Sequence, residues 1–348
     1  MGSGRVFEGW MVDGEELELY PTRITVEQGV IAAIEEIKTA PPRWICPSLF
    51  NAHTHLGDTV ALDLRAPGSL TELVTPPQGL KHRILASTPR NELVRGMRAA
   101  LQYMTRTGTG GCADFREGGR EGVAMLREAA QRSSWQPIIL GRDGGEEDAE
   151  GFGVSSVRDV PSLEEQVAAV RRAGKLLAIH AGERDDQDIE GALAYEPDLL
   201  IHATHATEAH LRICADQGIP IVVCPRSNWT MGVTDSSAHP PIARMIELGV
   251  LLLLGTDNVM FVQPDMFQEM AFLSTVYRVE PRIVLHAALD GAGIFSHSPF
   301  FTIGAPARFF TIDAQRSLRS FSRDPFISLV KRGNSADIEE NVLSAEFE

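Results

Sequence analysis

The sequence contains no apolar run longer than five residues, as at residues 250–254. A membrane-crossing helix needs roughly 20 such residues, and a secretory leader needs a long apolar stretch that the first 30 residues lack. Cysteine is scarce: Cys46, Cys112, Cys214 and Cys224 stand far apart with no C-x-x-C pair. That spacing excludes a thiolate zinc site and a disulfide framework, and it suits a reduced cytoplasmic setting. Positive charge is also short, with 32 Lys and Arg against 47 Asp and Glu and a net charge of −15. A nucleic-acid partner needs a basic face, so nucleic-acid binding is not expected. Lysine is the rarest base, confined to Lys38, Lys81, Lys175 and Lys331.

What is present is a rhythm. From residue 45 onward, short β-branched or leucine-rich runs alternate with amphipathic helical stretches, the pattern of βα units around a parallel sheet. Eight strands are predicted, at 45–52, 110–116, 137–142, 151–158, 176–181, 198–204, 219–224 and 250–256. Eight strands suffice to close a barrel, and the 348-residue length leaves room for one of about 250 residues plus an appendage. Thr88-Pro89 is expected to start one helix, Ser162-Leu163-Glu164-Glu165 to form a capping box on another, and Gly249 to stop a third. The two ends alternate instead, as in Ile24-Thr25-Val26-Glu27, Arg308-Phe309-Phe310-Thr311-Ile312 and Ile327-Ser328-Leu329-Val330, which predicts strands with one wet face. The fold class expected is α/β, a (β/α)8 TIM barrel over 45–304. A small discontinuous β-sandwich would be built from 1–44 and 305–348, since neither end can bury a core alone.

The chemistry sits where the predicted strands leave the core. His53 and His55 end the first strand, His180 ends the fifth, and Asp257 follows five aliphatic residues at the eighth. Residues two apart on a strand face the same way, so His53 and His55 can reach one metal at about 2.0–2.1 Å. A His-x-His pair alone is weak evidence. Core histidines satisfied by neighbours would have to recur independently at His53, His55, His180 and His202, and would leave Asp257 buried without a partner, a costly state.

Barrels with paired metals bridge them with a carboxylated lysine at the end of strand 4, and none of the four lysines ends a predicted strand. One divalent metal is therefore expected, with zinc suited to imidazole and carboxylate ligands and iron or manganese accepting similar sets. Glu183, three residues after His180, is the expected proton shuttle; as an alternative it belongs to a solvated acidic run with Asp185, Asp186 and Asp188. His202 or its rival His205 would stabilise the oxyanion formed on attack.

These residues resemble the amidohydrolase superfamily, in its mononuclear deaminase branch of cytosine, guanine and S-adenosylhomocysteine deaminases and triazine hydrolases. The resemblance covers nearly the whole chain and rests on residues 47–56 (PSLFNAHTHL), 180–183 (HAGE), 202–205 (HATH), 224–228 (CPRSN) and 255–258 (GTDN). It implies a barrel flanked by a β-sandwich, a metal on His53, His55, His180 and Asp257, and Glu183 as acid/base. The interval to Pro225 favours His202 over His205. The branch also implies a small-molecule substrate and a homodimer. The segment from Gly57 to Arg90 shows no familiar substrate-binding pattern.

Together these readings predict a hydrolytic deaminase of an aminated heterocycle. Arg116, Arg142, Arg158 and Arg226 end strands and suggest an anionic group on the substrate, with Asn228 and His205 completing the candidate binding set. Internal pairing of the arginines with Asp114, Glu117, Asp143 or Asp159 is the competing reading. The same site can cleave a cyclic amide or expel chloride, and a barrel without activity can serve as a binding module.

Overall fold

The computed structural model describes residues 4–63, 68–76, 78–294 and 298–343. The strands in chain order are β1 (Arg5–Asp13), β2 (Glu18–Glu27), β3 (Val30–Glu36), β4 (Arg43–Pro47), β5 (Leu49–His55), β6 (Thr109–Arg116), β7 (Ile138–Gly141), β8 (Gly151–Val154), β9 (Leu176–Ala181), β10 (Leu199–His202), β11 (Ile221–Val223), β12 (Leu252–Leu254), β13 (Asp257–Asn258), β14 (Arg308–Asp313) and β15 (Ile338–Leu343). They form two sheets. Nine are parallel and curl in the order β12-β11-β10-β9-β8-β7-β6-β5-β13, and six form a mixed sheet in the order β15-β14-β4-β1-β2-β3.

The parallel sheet has covering helices because its strands are apolar on both faces: every residue of β5 and β6 is buried. The helix Arg90–Arg106 shows how the cover works. Its buried residues Leu93, Val94, Met97, Ala100, Leu101 and Met104 recur at spacings of three and four, one stripe facing the sheet. Between β7 and β8 only the 3-10 turn Gly145–Glu147 intervenes, because that connection is too short for a helix. Inside the sheet Phe50, Phe115, Leu140, Leu199, Ile201 and Leu253 belong to one buried cluster. Only Gly255 and Thr256 separate β12 from β13. The side chain of Asn51 donates to Thr256 Oγ1 at 2.8 Å and the Thr256 backbone N–H returns a bond to Asn51 Oδ1 at 3.0 Å, tying this segment to β5.

The mixed sheet joins the two ends of the chain, since β14 pairs with β4 and β4 with β1. Its six strands are hydrogen-bonded in one continuous order that folds back on itself: Val30 at the start of β3 bridges Pro306 just ahead of β14, and Phe7, Ile31, Phe309 and Val342 share one core. Four local expectations are corrected. The segment 45–52 is divided, with β4 in the mixed sheet and β5 in the parallel one. Residues 327–330 lie in the helix Pro325–Arg332: Asp324 caps the Phe326 and Ile327 N–H groups and Pro325 sets the first turn, so local capping overrides the short alternation. Ser162 has φ 54° and its side chain makes no capping bond. Thr88 closes the helix Leu80–Ser87 instead of opening the next, whose N-cap position is Pro89. Gly249, at φ 76°, follows the helix Ile242–Glu247 as expected.

Phe309 on β14 is fully buried, with Phe7 meeting it edge-on at 5.0 Å. Phe309→Ala is expected to cost about 3–5 kcal/mol, read as a lowered urea midpoint with the slope unchanged. Among the described residues no helix is long and apolar enough to cross a membrane.

Candidate active site

At the C-terminal ends of the parallel strands, where such sheets keep their reactive groups, β5 delivers His53 and His55, β9 His180, β10 His202 and β13 Asp257. His53 Nε2 stands 3.2 Å from Asp257 Oδ1 and 3.3 Å from His180 Nε2, and His55 Nε2 is 3.5 Å from the same Asp257 oxygen. Four ligands about 2.0–2.1 Å from one ion in a tetrahedral array stand about 3.3–3.4 Å apart, so these spacings fit a single metal.

The protons are placed to match. His180 Nδ1 donates to Val154 O at 2.8 Å and His55 Nδ1 is 3.2 Å from Phe115 O, which leaves the Nε2 lone pair of each ring facing the centre. Burial lowers the imidazoles, His53 to about 4, His55 to about 3 and His180 well below its usual value, so all three are neutral and able to ligate at neutral pH. Burial pushes the Asp257 carboxyl up, but its hydrogen bond with His53 and the surrounding rings outweigh this and hold it well below the carboxylate range. Ser227 donates to its second oxygen, Oδ2, at 2.7 Å. His202 and Asp257 sit at φ 72° and 61°, left-handed backbone that side chains other than glycine rarely adopt and that marks sites where neighbours hold the chain.

Glu183, just past β9, places Oε1 3.7 Å from His202 Nε2 and lines the same cleft as His180 and Asp257. Burial raises its carboxyl, partly offset by His202. His205 does not line that cleft; its ring stands 5.6 Å from that of His239. His202 is thus the strand-end histidine at the cluster. Asn228 is buried and donates to Thr204 Oγ1 at 3.0 Å, away from the cleft lining.

The four arginines divide. Arg116 is buried between Asp114 at 3.3 Å and Glu117 at 2.5 Å, so close to Gly57 that a Cβ there would lie 2.2 Å from its guanidinium. Arg158 pairs with Asp185 and lies 3.7 Å from Asp188. Arg226 binds buried Glu269 at 2.5 Å and Gln268 at 2.8 Å. For these three, internal pairing is what the contacts give. Arg142 differs, since it lines the cleft with Nε and Nη2 buried and without a hydrogen-bond partner.

Three residues at the cluster had not been singled out from sequence. Ser227 and Asn258 lie inside the CPRSN and GTDN strings, so their signal was present. Lys81 had none: it comes from the helix Leu80–Ser87, in the segment without a recognisable pattern, and only folding brings its ammonium 2.8 Å from Glu117 Oε1 and 3.0 Å from Asn258 Oδ1.

A curled parallel sheet with three histidines and a carboxylate converging at its C-terminal edge defines a hydrolase built to hold one ion. A family model described as adenosine deaminase matches residues 146–286. A protein of Methanothermobacter thermautotrophicus that goes by the name aminohydrolase is 35% identical over 377 residues, covering 96% of each chain. An adenosine deaminase from Xanthomonas campestris, solved with bound zinc, superposes with a TM-score of 0.80 at 17% identity, over 98% of this chain and 92% of that one. Atrazine chlorohydrolase from Arthrobacter aurescens, complexed with zinc, gives 0.79 at 14% identity over 99% and 97%. The chain belongs to the adenosine deaminase/amidohydrolase family and is a hydrolase acting on C–N bonds.

Proposed function

We propose that this protein is a hydrolytic deaminase of a small aminated heterocycle, with zinc as the resident ion. The observation that carries the reading is the convergence of His53, His55, His180 and Asp257 at 3.2–3.5 Å with Glu183 beside them. When bound, a divalent cation there supplies the acidity that makes water a nucleophile at neutral pH, lowering its pKa toward about 7. The chain's own residues do the rest. Glu183 takes one proton from the attacking water and passes it to the ring nitrogen, then takes the second from the hydroxyl so formed and delivers it to the leaving amine. Asp257, fixed by Ser227, orients the nucleophile, and His202 faces the oxygen on which charge develops. Ammonia and the hydroxylated, keto-form ring are the products.

The reading includes a closed (β/α)8 barrel, in which β12 and β13 are two halves of one strand; their two-residue separation and the bonds from Thr256 to β5 support it. Residues 1–44 and 305–348 are assigned to a small β unit and 45–304 to the barrel, with 344–348 outside the described residues. The four cysteines are free and buried, which suits the reducing cytoplasm.

The test is direct. The purified protein is expected to carry one zinc per chain and to release ammonia from at least one compound in a panel of aminated purines, pyrimidines and pterins. Chloride release from a chlorinated ring without ammonia from any amine would replace the reading with a dehalogenating hydrolase.

A further inference from the structure

We propose that Lys81 and Arg142 form an anion-reading pair beside the metal cluster, so that the heterocycle deaminated here carries a carboxylate or phosphate group. The inference rests on the function proposed above and names the substrate class within it. Lys81 is 3% exposed and Arg142 7%, yet both line the cleft that contains His180, Glu183 and Asp257. Burying two cations is unfavourable unless something answers their charge.

The protein answers it only in part. Both cations converge on one oxygen, Glu117 Oε1, at 2.8 Å from Lys81 Nζ and 3.6 Å from Arg142 Nη2. That oxygen also lies 2.8 Å from His55 Nδ1, and its twin is held by Arg116 at 2.5 Å. A single carboxylate is therefore shared among three cations and an imidazole. Two carboxylates in the same cleft, Glu183 and Asp159, feel the charges of Lys81 and Arg142 respectively but form no ion pair with them, and the remaining acidic groups serve other partners. Asp114 serves Arg116, Thr54 and the Leu56 N–H; Asp159 lies 4.0 Å from Arg184 and Asp188 3.7 Å from Arg158. Asp58 approaches Lys81 to 3.8 Å but accepts no hydrogen bond, and burial pushes its carboxyl up to about 8, so it is mostly uncharged at neutral pH.

Donors are left over as well as charge. An ammonium has three N–H groups, and among the described residues Lys81 has two acceptors within hydrogen-bond distance, Glu117 and Asn258. Arg142 keeps Nε and Nη2 unmet. Arg116, a few ångströms away with its donors taken up, shows what a purely structural arginine looks like here. Unmet donors on two buried cations that line the cleft beside the reacting centre match a bidentate or tridentate oxyanion. The ring would then lie between this pair and the metal cluster, its amine toward Glu183.

Two matched pairs of compounds test the inference: adenosine against adenosine 5′-monophosphate, and pterin against pterin-6-carboxylate. Binding to the zinc-loaded Glu183→Gln protein is measured by calorimetry, and ammonia release is measured with the unmodified enzyme. At least one charged member is expected to bind tenfold or more tightly than its neutral partner, and which pair responds distinguishes phosphate from carboxylate. Lys81→Met and Arg142→Met are each expected to lower that preference about 10–100-fold, through KM rather than kcat, with zinc content unchanged. Lys81→Arg should restore part of it. Equal binding within both pairs, or variants that weaken charged and neutral members alike, overturns the inference and makes the pair structural. Should a Met variant fail to fold, the comparison within the two pairs on the Glu183→Gln protein still decides. If no compound releases ammonia while the binding preference stands, the deaminase reading fails and the anion site survives.

Discussion

Glu183→Gln is expected to lower kcat by about 10²–10⁴-fold, the range of a positioned acid/base group, while the protein keeps its metal. The two halves of that expectation come from different distances. Glu183 makes no hydrogen bond or ion pair with the four ligands; the side chain of the cluster that it faces is His202, 3.7 Å away. Glutamine keeps the length and the hydrogen-bonding oxygen but cannot accept the proton from water or deliver it to the ring. Metal analysis of the variant should therefore match the unmodified enzyme even as turnover collapses. The pH profile gives a second readout. Burial raises the Glu183 carboxyl above its ordinary 4.5, and the base must be ionised to begin the reaction. Activity in the unmodified enzyme should then fall on the acid side as pH drops through a value above 4.5. A variant with near-normal turnover would remove Glu183 from the chemistry.

The site was largely legible in the sequence because its residues end strands. A histidine or aspartate at the end of a short apolar run has one place to go in a parallel sheet, and His53, His55, His180 and Asp257 all stand there. Glu183 followed from His180 by chain proximity. The arginines were less legible, since the same strand-end position serves an internal ion pair or an open cleft. Arg116 and Arg142 look alike in sequence; the difference is Glu117, whose one oxygen commits fully to Arg116 at 2.5 Å and whose other is divided. Lys81 was not legible at all. It lies in a helix between β5 and β6 whose placement depends on contacts with residues far along the chain, among them Asn258. The segment 327–330 failed for the opposite reason. Four alternating residues suit a strand, and the Asp-Pro pair that starts a helix just before them was the stronger signal.

Asp257→Asn should lower metal affinity by more than the roughly 10–100-fold typical of losing an outer hydrogen-bond partner of a ligand, and abolish activity with it. The substitution is chosen to isolate charge. Asp257 sits at φ 61°, a backbone region where asparagine is well tolerated, so the fold is preserved and Ser227 keeps an acceptor. What disappears is the sole anion among the four ligands, the other three being neutral imidazoles at neutral pH. Without it the ion's charge is less compensated in a buried site, where no solvent makes up the difference. Ser227→Ala provides the graded comparison, because it removes only the 2.7 Å bond to Asp257 Oδ2 and should fall within the 10–100-fold range. Both are read by dialysis against a chelator followed by metal analysis. Thermal stability supplies an independent check: a ligand that binds only the folded state raises the melting temperature. Zinc should raise it in the unmodified protein, less in Ser227→Ala, and hardly at all in Asp257→Asn. Full zinc occupancy in Asp257→Asn would mean that His202, which can join His53 and Asp257 in a second three-ligand group, is a true ligand and the four-residue assignment is wrong.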